Sequence, residues 1–264
     1  MIPNFFGSMD EFTRLLLSAT FVLIAAGVSR WQSADLERDL VIATVRSFIQ
    51  LILIGYALEL VFDQDNPFFT VGILMLMVAI AGRTSSARVK KLARAPHIGV
   101  ISIGTGTLLT VGILLFLGGF EFVPQDIIPI GGMVVGSAMT AATLVMSGLQ
   151  DDFHDQRLVI ETKLALGASA REASLTQFRG AIRNAMVPMV DATKTVGLIK
   201  LPGAMTGMIL AGASPLEAVR IQIIVMYMLV GAVTFTSLIA AYLTYRTFFN
   251  NEHQFVDVQV NNPE

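Results

Sequence analysis

Long apolar blocks alternate with short polar ones along the whole chain. Seven blocks come near the roughly 20 residues that a helix needs to cross a bilayer. They occupy residues 12–29, 40–62, 68–82, 98–118, 126–149, 184–212 and 216–245. A soluble protein with buried strands would show apolar runs of about eight residues at most. The pattern therefore predicts an all-α membrane protein with about seven transmembrane helices, organised as a single domain over 1–264.

The Lys and Arg residues between spans fall in alternate loops, so they collect on one side of the predicted bilayer. Because cytoplasmic loops of membrane proteins collect Lys and Arg, the basic loops are expected in the cytoplasm. The loops at 63–67, 119–125 and 213–215 contain neither residue. The loops after spans one, three and five contain Arg30, Arg38, Arg83, Arg88, Lys90, Lys91, Arg94, Arg157, Lys163, Arg171, Arg179 and Arg183. This distribution predicts an N-terminus outside and a C-terminus, following Arg246, in the cytoplasm.

Composition supports the membrane assignment and excludes several kinds of chemistry. Hydrophobic residues make up 54% of the 264 residues and charged residues 14%, against about a quarter in soluble domains. The chain has no cysteine, so it has neither disulfides nor thiolate ligands. It has no G-x-x-x-x-G-K-[ST] motif for ATP phosphates and no catalytic triad pattern. We expect no enzyme, no bound cofactor and no nucleic-acid partner, since the basic loops are explained by topology.

Residues 150–183 form the one long polar segment between spans, and a polar tail occupies 247–264. The segment predicts a helix, a turn centred on Gly167, and a second short helix before span six. Ser169 is placed to cap that second helix, with Glu172 as its capping-box partner. We expect the element to lie at the membrane surface with Gly167 and Ala168 facing outwards. Small residues there would let a partner protein approach closely.

Span six contains a helix-breaking pair. Pro202 and Gly203 lie within an apolar run, where proline removes a backbone hydrogen bond and glycine loosens the helix. We expect a break near 200–203. Broken helices persist at membrane depth only where protein or water satisfies the backbone.

Ionisable side chains within spans are costly and are candidates for substrate contact. The candidate substrate path comprises Arg46, Gln50, Glu59, Asp191, Lys194, Met189 and Met205. Each has a structural alternative: Arg46 and Glu59 can reach interfacial water, Asp191 and Lys194 can pair with each other, and methionine is common apolar filler. The histidines are not spaced as metal ligands, and the sequence assigns no metal site; they are His97, His154 and His253.

One run of residues resembles the coupling-helix motif of ABC transporter permeases. It comprises Glu161, Leu164, Ala165, Leu166, Gly167, Ala168 and Ser169. Three blocks in the same order resemble the FetB-like iron-export permease family, which includes plant aluminium-tolerance relatives. They are LALGAS at 164–169, DATKTVGLIKLPGAMTGMILAG at 191–212 and SPLEAVRIQIIVMYMLVGA at 214–232.

The resemblance implies a permease of the cell inner membrane that forms a homodimer and pairs with ABC ATP-binding subunits. ATP and Mg would bind to those partner chains, and the substrate would be a metal ion such as iron, exported from the cell. Three alternatives stay open: an ion-driven secondary transporter, an ABC permease for a non-metal substrate, and a membrane scaffold without transport. A secondary transporter is expected to contain inverted repeats, and the spans do not divide into matching halves.

Overall fold

The fold is all-α, as the sequence predicted. The structure, a computed structural model, describes residues 11–32, 37–62, 66–89, 92, 94–250 and 254–255. Apart from two isolated β-bridges, all regular structure in these residues is helical. The helices are α1 (Glu11–Trp31), α2 (Glu37–Phe62), α3 (Pro67–Ala87), α4 (Ala95–Phe116), α5 (Pro124–Asp155), α6 (Arg157–Ala165), α7 (Ala170–Thr195), α8 (Gly203–Leu210) and α9 (Pro215–Thr247).

Local sequence determines where several long helices begin. Pro67, Pro124 and Pro215 occupy the first turn of α3, α5 and α9, where the missing N–H is not needed. The Asn66 side chain accepts a hydrogen bond from Phe68 N at 3.0 Å, and Ser214 Oγ accepts one from Glu217 N at 3.3 Å. These caps satisfy backbone donors that the first helical turn leaves unpaired.

Five helical segments in the described residues have the length and composition of membrane crossings. They are Glu37–Glu59, Pro67–Ala87, Ala95–Phe116, Pro124–Asp155 and Pro215–Thr247, and they correspond to predicted spans two, three, four, five and seven. Predicted span one corresponds to a shorter apolar stretch, Ala19–Trp31. Predicted span six is not one helix, because residues 196–202 separate α7 from α8. The chain is thus a multi-pass membrane protein, and its orientation stays a prediction.

The helices group into two compact units, one containing α1 and α2 and the other α3 to α9. In the first unit the two helices pack against each other. In the second, α5 is central, since it packs against α3, α4, α7 and α9. Its buried face carries fully buried side chains from small Ala138 and Ala142 to large Met146, Leu149 and Phe153. Small residues at mid-helix let the neighbouring backbones approach closely, as helices in lipid require.

The closest backbone approach that glycine permits joins α3 to α4. A Cβ atom on Gly82 would lie 2.7 Å from the backbone N of Val100, and one on Gly99 would lie 2.8 Å from the carbonyl O of Gly82. Both obstacles are backbone atoms, which cannot move aside as a flexible side chain can. The crossing of α3 and α4 therefore depends on glycine at both positions.

We expect Gly82→Ala to lower the free energy of unfolding by about 1–3 kcal/mol, because the added methyl overpacks the crossing. Gly72→Ala in the same helix is the matched control, since no atom lies within 4 Å of its Cβ position. The control should be neutral or slightly stabilising, because alanine favours a helix over glycine. Thermal unfolding of both variants in the same detergent checks this, and equal midpoints would contradict the crossing geometry.

Candidate functional site

The predicted turn between α6 and α7 is a well-defined helix termination. Gly167 has φ +90°, a left-handed conformation that side chains other than glycine adopt at a cost. Gly167 N donates to Leu164 O at 3.0 Å, and Ala168 N donates to Lys163 O at 3.1 Å. This pair of bonds is the Schellman motif, which satisfies the last carbonyl groups of α6. The glycine in the motif is therefore required by backbone conformation.

The capping box predicted at Ser169 is confirmed. Ser169 Oγ accepts a hydrogen bond from Glu172 N at 3.3 Å, and Ser169 N donates to Glu172 Oε2 at 2.9 Å. The Ser169 hydroxyl also donates to Glu172 Oε2 at 2.7 Å. These bonds, first from the hydroxyl and then from the backbone, lower the pKa of Glu172 below the ordinary glutamate value.

The helix that follows the cap is longer than predicted. A second short helix was expected before span six, but α7 runs without interruption from Ala170 to Thr195. Pro188 lies within α7, and the helix continues past it. The second part of the polar segment and the first part of predicted span six thus form one continuous helix.

The coupling-motif residues divide between the core and the surface. Leu164 and Ala168 pack against the main hydrophobic core together with fully buried Ile160. The outward orientation predicted for Ala168 is therefore wrong, whereas Gly167 is exposed as expected. Leu166 is 84% exposed and Leu158 77% exposed. We call the exposed apolar residues at this end of the molecule the coupling surface: Leu158, Val159, Ala165, Leu166 and Gly167.

Polar contacts hold α6 in place behind the coupling surface. Arg157 Nε donates to Glu161 Oε1 at 2.8 Å, which engages the motif glutamate in an ion pair. Gln177 Nε2 of α7 donates to Gln156 Oε1, at the junction of α5 and α6, at 2.6 Å. Lys163 Nζ donates to the Ala173 carbonyl at 3.4 Å. Helix α6 is therefore fixed to α7 by side-chain contacts as well as by the connecting turn.

The predicted break in span six is confirmed and extends over 196–202. Gly197 has φ +80°, and its N–H donates to Lys200 O at 3.0 Å. Pro202 is the N-cap residue of α8, and Gly203 is the first residue of that helix. Side chains in the break are strongly exposed, with Leu198 at 88% and Ile199 at 83%. The turn pairs part of its own backbone through these hydrogen bonds.

A groove of about 510 Å³ follows one face of α7. Its lining residues are Arg179, Ile182, Arg183, Met186, Val187, Val190, Asp191 and Lys194. Asp191 and Lys194 are thus brought to one groove. Asp191 and Lys194 do not form an ion pair with each other. Among the described residues the ion pair is Arg157–Glu161. The groove carries three cationic side chains and one carboxylate, so its charge is net positive.

The other candidate path residues do not join this groove. Arg46, Gln50 and Glu59 lie exposed on α2, in the other unit. Met189 is half-buried on α7 outside the groove lining, and Met205 is half-buried on α8. Within the described residues no group of three or more His, Asp or Glu side chains is placed to hold a metal ion. His97 and His154 are exposed, and His253 lies outside the described residues.

Sequence reasoning missed the groove residues Arg179 and Arg183. Both arginines were assigned to topology alone, although a spacing of four residues places positions 179, 183, 187 and 191 on one helix face. That spacing was the available signal. The sequence predicted a short helix followed by a separate span from residue 184. That prediction put these positions on two helices, and residues on two separate helices share no face.

Comparisons with known proteins agree with this architecture. The family model described as "Uncharacterised protein family (UPF0014)" matches residues 12–249, and the chain belongs to this family. It is 43% identical over 233 residues to Protein ALUMINUM SENSITIVE 3 of Arabidopsis thaliana, covering 88% of this chain and 85% of the relative. It is 43% identical over 236 residues to UPF0014 membrane protein STAR2 of Oryza sativa subsp. japonica, covering 89% and 83%.

A bacterial relative is also similar over nearly the whole chain. The Probable iron export permease protein FetB of Escherichia coli is 37% identical over 246 residues, covering 93% of this chain and 95% of the relative. No solved structure matches the chain. The chain is therefore a member of a membrane permease family, and the bacterial relative is consistent with a location in the cell inner membrane.

We expect Ser169→Ala to destabilise the start of α7 by about 1 kcal/mol, because the cap of the first turn is lost. Faster backbone amide exchange at residues 170–174 would report the loss. Thr176→Ala is the control, an exposed residue on the same helix outside the cap. Equal exchange in the two variants would contradict a stabilising cap.

The capping box should also respond to acid. Because the pKa of Glu172 is lowered in the folded protein, its ionised carboxylate contributes fully to stability at pH values above the ordinary glutamate pKa. It is lost as pH falls through the lower pKa that the group has in the folded protein. The stability difference between the wild type and Glu172→Gln should therefore shrink over this acidic range. Thermal unfolding at several pH values measures it, and a difference that is constant with pH would contradict the role of the carboxylate.

Proposed function

We propose that this permease is the membrane subunit of an ATP-driven ABC transporter whose ATP-binding subunit is a separate chain that docks on the coupling surface. The observation that carries the proposal is the continuity from that surface to the broken helix. A turn with exposed Leu166 and Gly167 leads directly into α7, and α7 ends at the break over 196–202. ATP and Mg would bind to the partner chain.

The length of α7 supports its role as a lever. At about 1.5 Å rise per residue, its 26 residues extend roughly 39 Å. The capping box fixes its start, and contacts with α5 and α9 hold its flank. A displacement of the turn by closure of an ATP-binding dimer would therefore move α7 with its groove and act on the break at its far end, a rigid-body movement that is a common form of conformational switch.

The exposed leucines support docking of a protein at this position. Apolar side chains grouped on a water-facing surface mark interaction sites. The positive-inside distribution predicts that this end of the molecule lies in the cytoplasm, where an ATPase is available. Gly167 adds no side chain to the surface, so a partner can approach the backbone of the turn.

For the substrate we propose a metal ion, with iron as the first candidate and export as the direction. Support comes from the name of the bacterial relative, a probable iron export permease. The α7 groove offers Asp191 as a carboxylate and Met186 as a thioether, both of which are metal-ligand types, but its three cationic side chains repel a bare cation, so the proposal rests on the name of the relative. These two do not make a closed site, which suits a transported ion that must also leave.

We further propose that two copies of the chain form one transporter, as the resemblance to ABC permeases implies. Exposed apolar residues surround the break and α8, among them Leu198, Ile199, Leu201 and Leu210. A second copy could cover part of this surface. Mass measurement of the purified permease in a membrane mimetic tests the stoichiometry, and a monomer in the presence of the ATPase would oppose it.

One alternative function has an observation in its favour. Ion-driven secondary transporters bind substrates at discontinuous helices, and the break between α7 and α8 is such a discontinuity. Transport by the chain alone, driven by an ion gradient and unchanged by a co-expressed ATPase, would favour this alternative over the ABC permease.

We expect Leu166→Ser to weaken ATPase binding by about tenfold, since it removes an apolar side chain from the centre of a docking surface. Leu117→Ser is the matched control, because Leu117 is similarly exposed at the end of α4. Co-purification of permease and ATPase at graded concentrations measures the change. An equal loss of ATPase binding in Leu166→Ser and Leu117→Ser would contradict the proposed docking surface.

Two substitutions at Gly167 distinguish the need for a left-handed backbone from the need for a residue without a side chain. Asparagine tolerates the left-handed conformation better than a β-branched residue does. We therefore expect Gly167→Asn to retain more ATPase binding than Gly167→Val. The same co-purification assay compares them, and wild-type binding and transport by Gly167→Val would show that the glycine has no role in coupling.

A metal scan tests the substrate. In liposomes containing the permease and its ATPase, we expect iron to stimulate ATP hydrolysis and Asp191→Asn to reduce that stimulation several-fold. Lys194→Gln tests whether the effect is specific to the carboxylate. Stimulation by no metal in a complex that hydrolyses ATP would leave the ABC permease standing and exclude metal as its substrate.

A further inference from the structure

The end of α9 turns back towards the start of the coupling element. After Thr247 the chain forms an antiparallel β-bridge between Phe249 and Phe255. Asn250 N donates to Gln254 O at 3.1 Å, and Gln254 N donates to Asn250 Oδ1 at 2.8 Å. These bonds close a local return of the chain that presents Phe255 to the core.

Four phenylalanine rings join the return to the end of α5. We call Phe153, Phe248, Phe249 and Phe255 the aromatic clasp. The Phe153 ring is fully buried, and its centroid lies 4.8 Å from that of Phe248, 6.0 Å from that of Phe249 and 6.2 Å from that of Phe255. All three pairs have interplanar angles of 80–85°, the edge-to-face arrangement that aromatic rings prefer.

Arg157 connects the clasp to the coupling motif. Its guanidinium carbon lies 5.7 Å from the centroid of the Phe255 ring, within the range of a cation–π interaction. Its Nε also donates to Glu161 Oε1 at 2.8 Å. One side chain, at the first residue of α6, is thus held by the tail on one side and holds the motif glutamate on the other.

Helix α6 depends on such contacts for its orientation. It has nine residues, and isolated helices shorter than about 12–15 residues are marginal in water. At Gln156 the backbone leaves helical geometry, with φ −106° and ψ 19°, so α5 does not continue into α6. The angle at this joint is therefore set by the contacts around it: the buried Ile160, the hydrogen bonds Gln177–Gln156 and Lys163–Ala173 to α7, and Arg157 against Phe255.

We propose that the aromatic clasp positions the coupling helix: Phe255 and Arg157 are positioning residues that set the angle of α6, and they link the end of α9 to the surface on which the ATPase docks. This inference rests on the proposed function for its consequence, although the positioning itself concerns the permease alone. Through the clasp, motion of the coupling surface reaches α9 as well as α7. Phe255 then takes part in transmitting the energy of ATP hydrolysis through the permease.

Amide hydrogen exchange in the full-length permease tests the positioning without any ATPase. We expect Phe255→Ala to increase exchange in α6 by about tenfold, while exchange in α4 stays unchanged. Phe255→Tyr, which keeps the ring, should restore protection. Phe116→Ala, at an exposed ring at the end of α4, is the control and should leave α6 unchanged. Protection of α6 that is equal in Phe255→Ala and the wild type overturns the proposal.

Arg157→Gln provides a second test that keeps the aromatic rings intact. If Arg157 and Phe255 act through each other, the double variant should increase α6 exchange by less than the product of the two single effects. Independent, multiplicative effects would show that the cation–π contact does not transmit the positioning.

The amount of substrate moved per ATP hydrolysed distinguishes a positioning role of Phe255 from a purely stabilising one. In liposomes with the ATPase, Phe255→Ala should lower the amount of substrate moved per ATP hydrolysed, with Phe255→Tyr near the wild-type ratio. An unchanged ratio with looser α6 would overturn the link to energy transfer. Absence of ATPase binding by the wild type would instead refute the proposed function, whereas the exchange result on the permease alone would still judge the positioning of α6.

Discussion

Backbone hydrogen bonding without water is the constraint on which this structure depends. In a bilayer every N–H and C=O must be paired within the protein, so the crossing segments are helices and their ends need specific partners. The proline residues that begin α3, α5 and α9 serve this need, whereas the Schellman motif at Gly167 and the capping box at Ser169 pair the end groups of α6 and α7 in the exposed polar segment. The break at 196–202 departs from helix, and it replaces helical bonds with turn bonds to Thr195 and Lys200.

The same constraint favours transmission of motion over long distances. Long helices carry displacements along their length, although Pro129 in α5 and Pro188 in α7 each remove one backbone bond, and packing of small residues around α5 keeps the helices in close contact. Short non-helical joints lie at Gln156, at Gly167 and over 196–202. These joints lie at the two ends of α6 and at the far end of α7.

Local patterns predicted a large part of the fold. Apolar block length gave the helices, Ser169 with Glu172 gave the cap, and Pro202 with Gly203 gave the break, because each signal acts within one or two helical turns. The continuity of α7 was missed because a glycine and polar residues in the segment resemble a boundary, while packing against α5 and α9 keeps the helix intact. Ala168 was expected outside because it is small, but its position on the turn directs it to the core.

The sequence by itself determined the class of the protein, five of its apolar crossing segments and the turn at Gly167 with the capping box at Ser169, since hydrophobicity and capping depend on neighbouring residues. Only the tertiary structure decided which groups meet: the α7 groove with Arg179 and Asp191, and the clasp in which Phe255 reaches Phe153 across about a hundred positions of sequence. Such contacts depend on how helices cross and on where a tail returns. Those outcomes follow from summed packing over many residues, which no local pattern encodes.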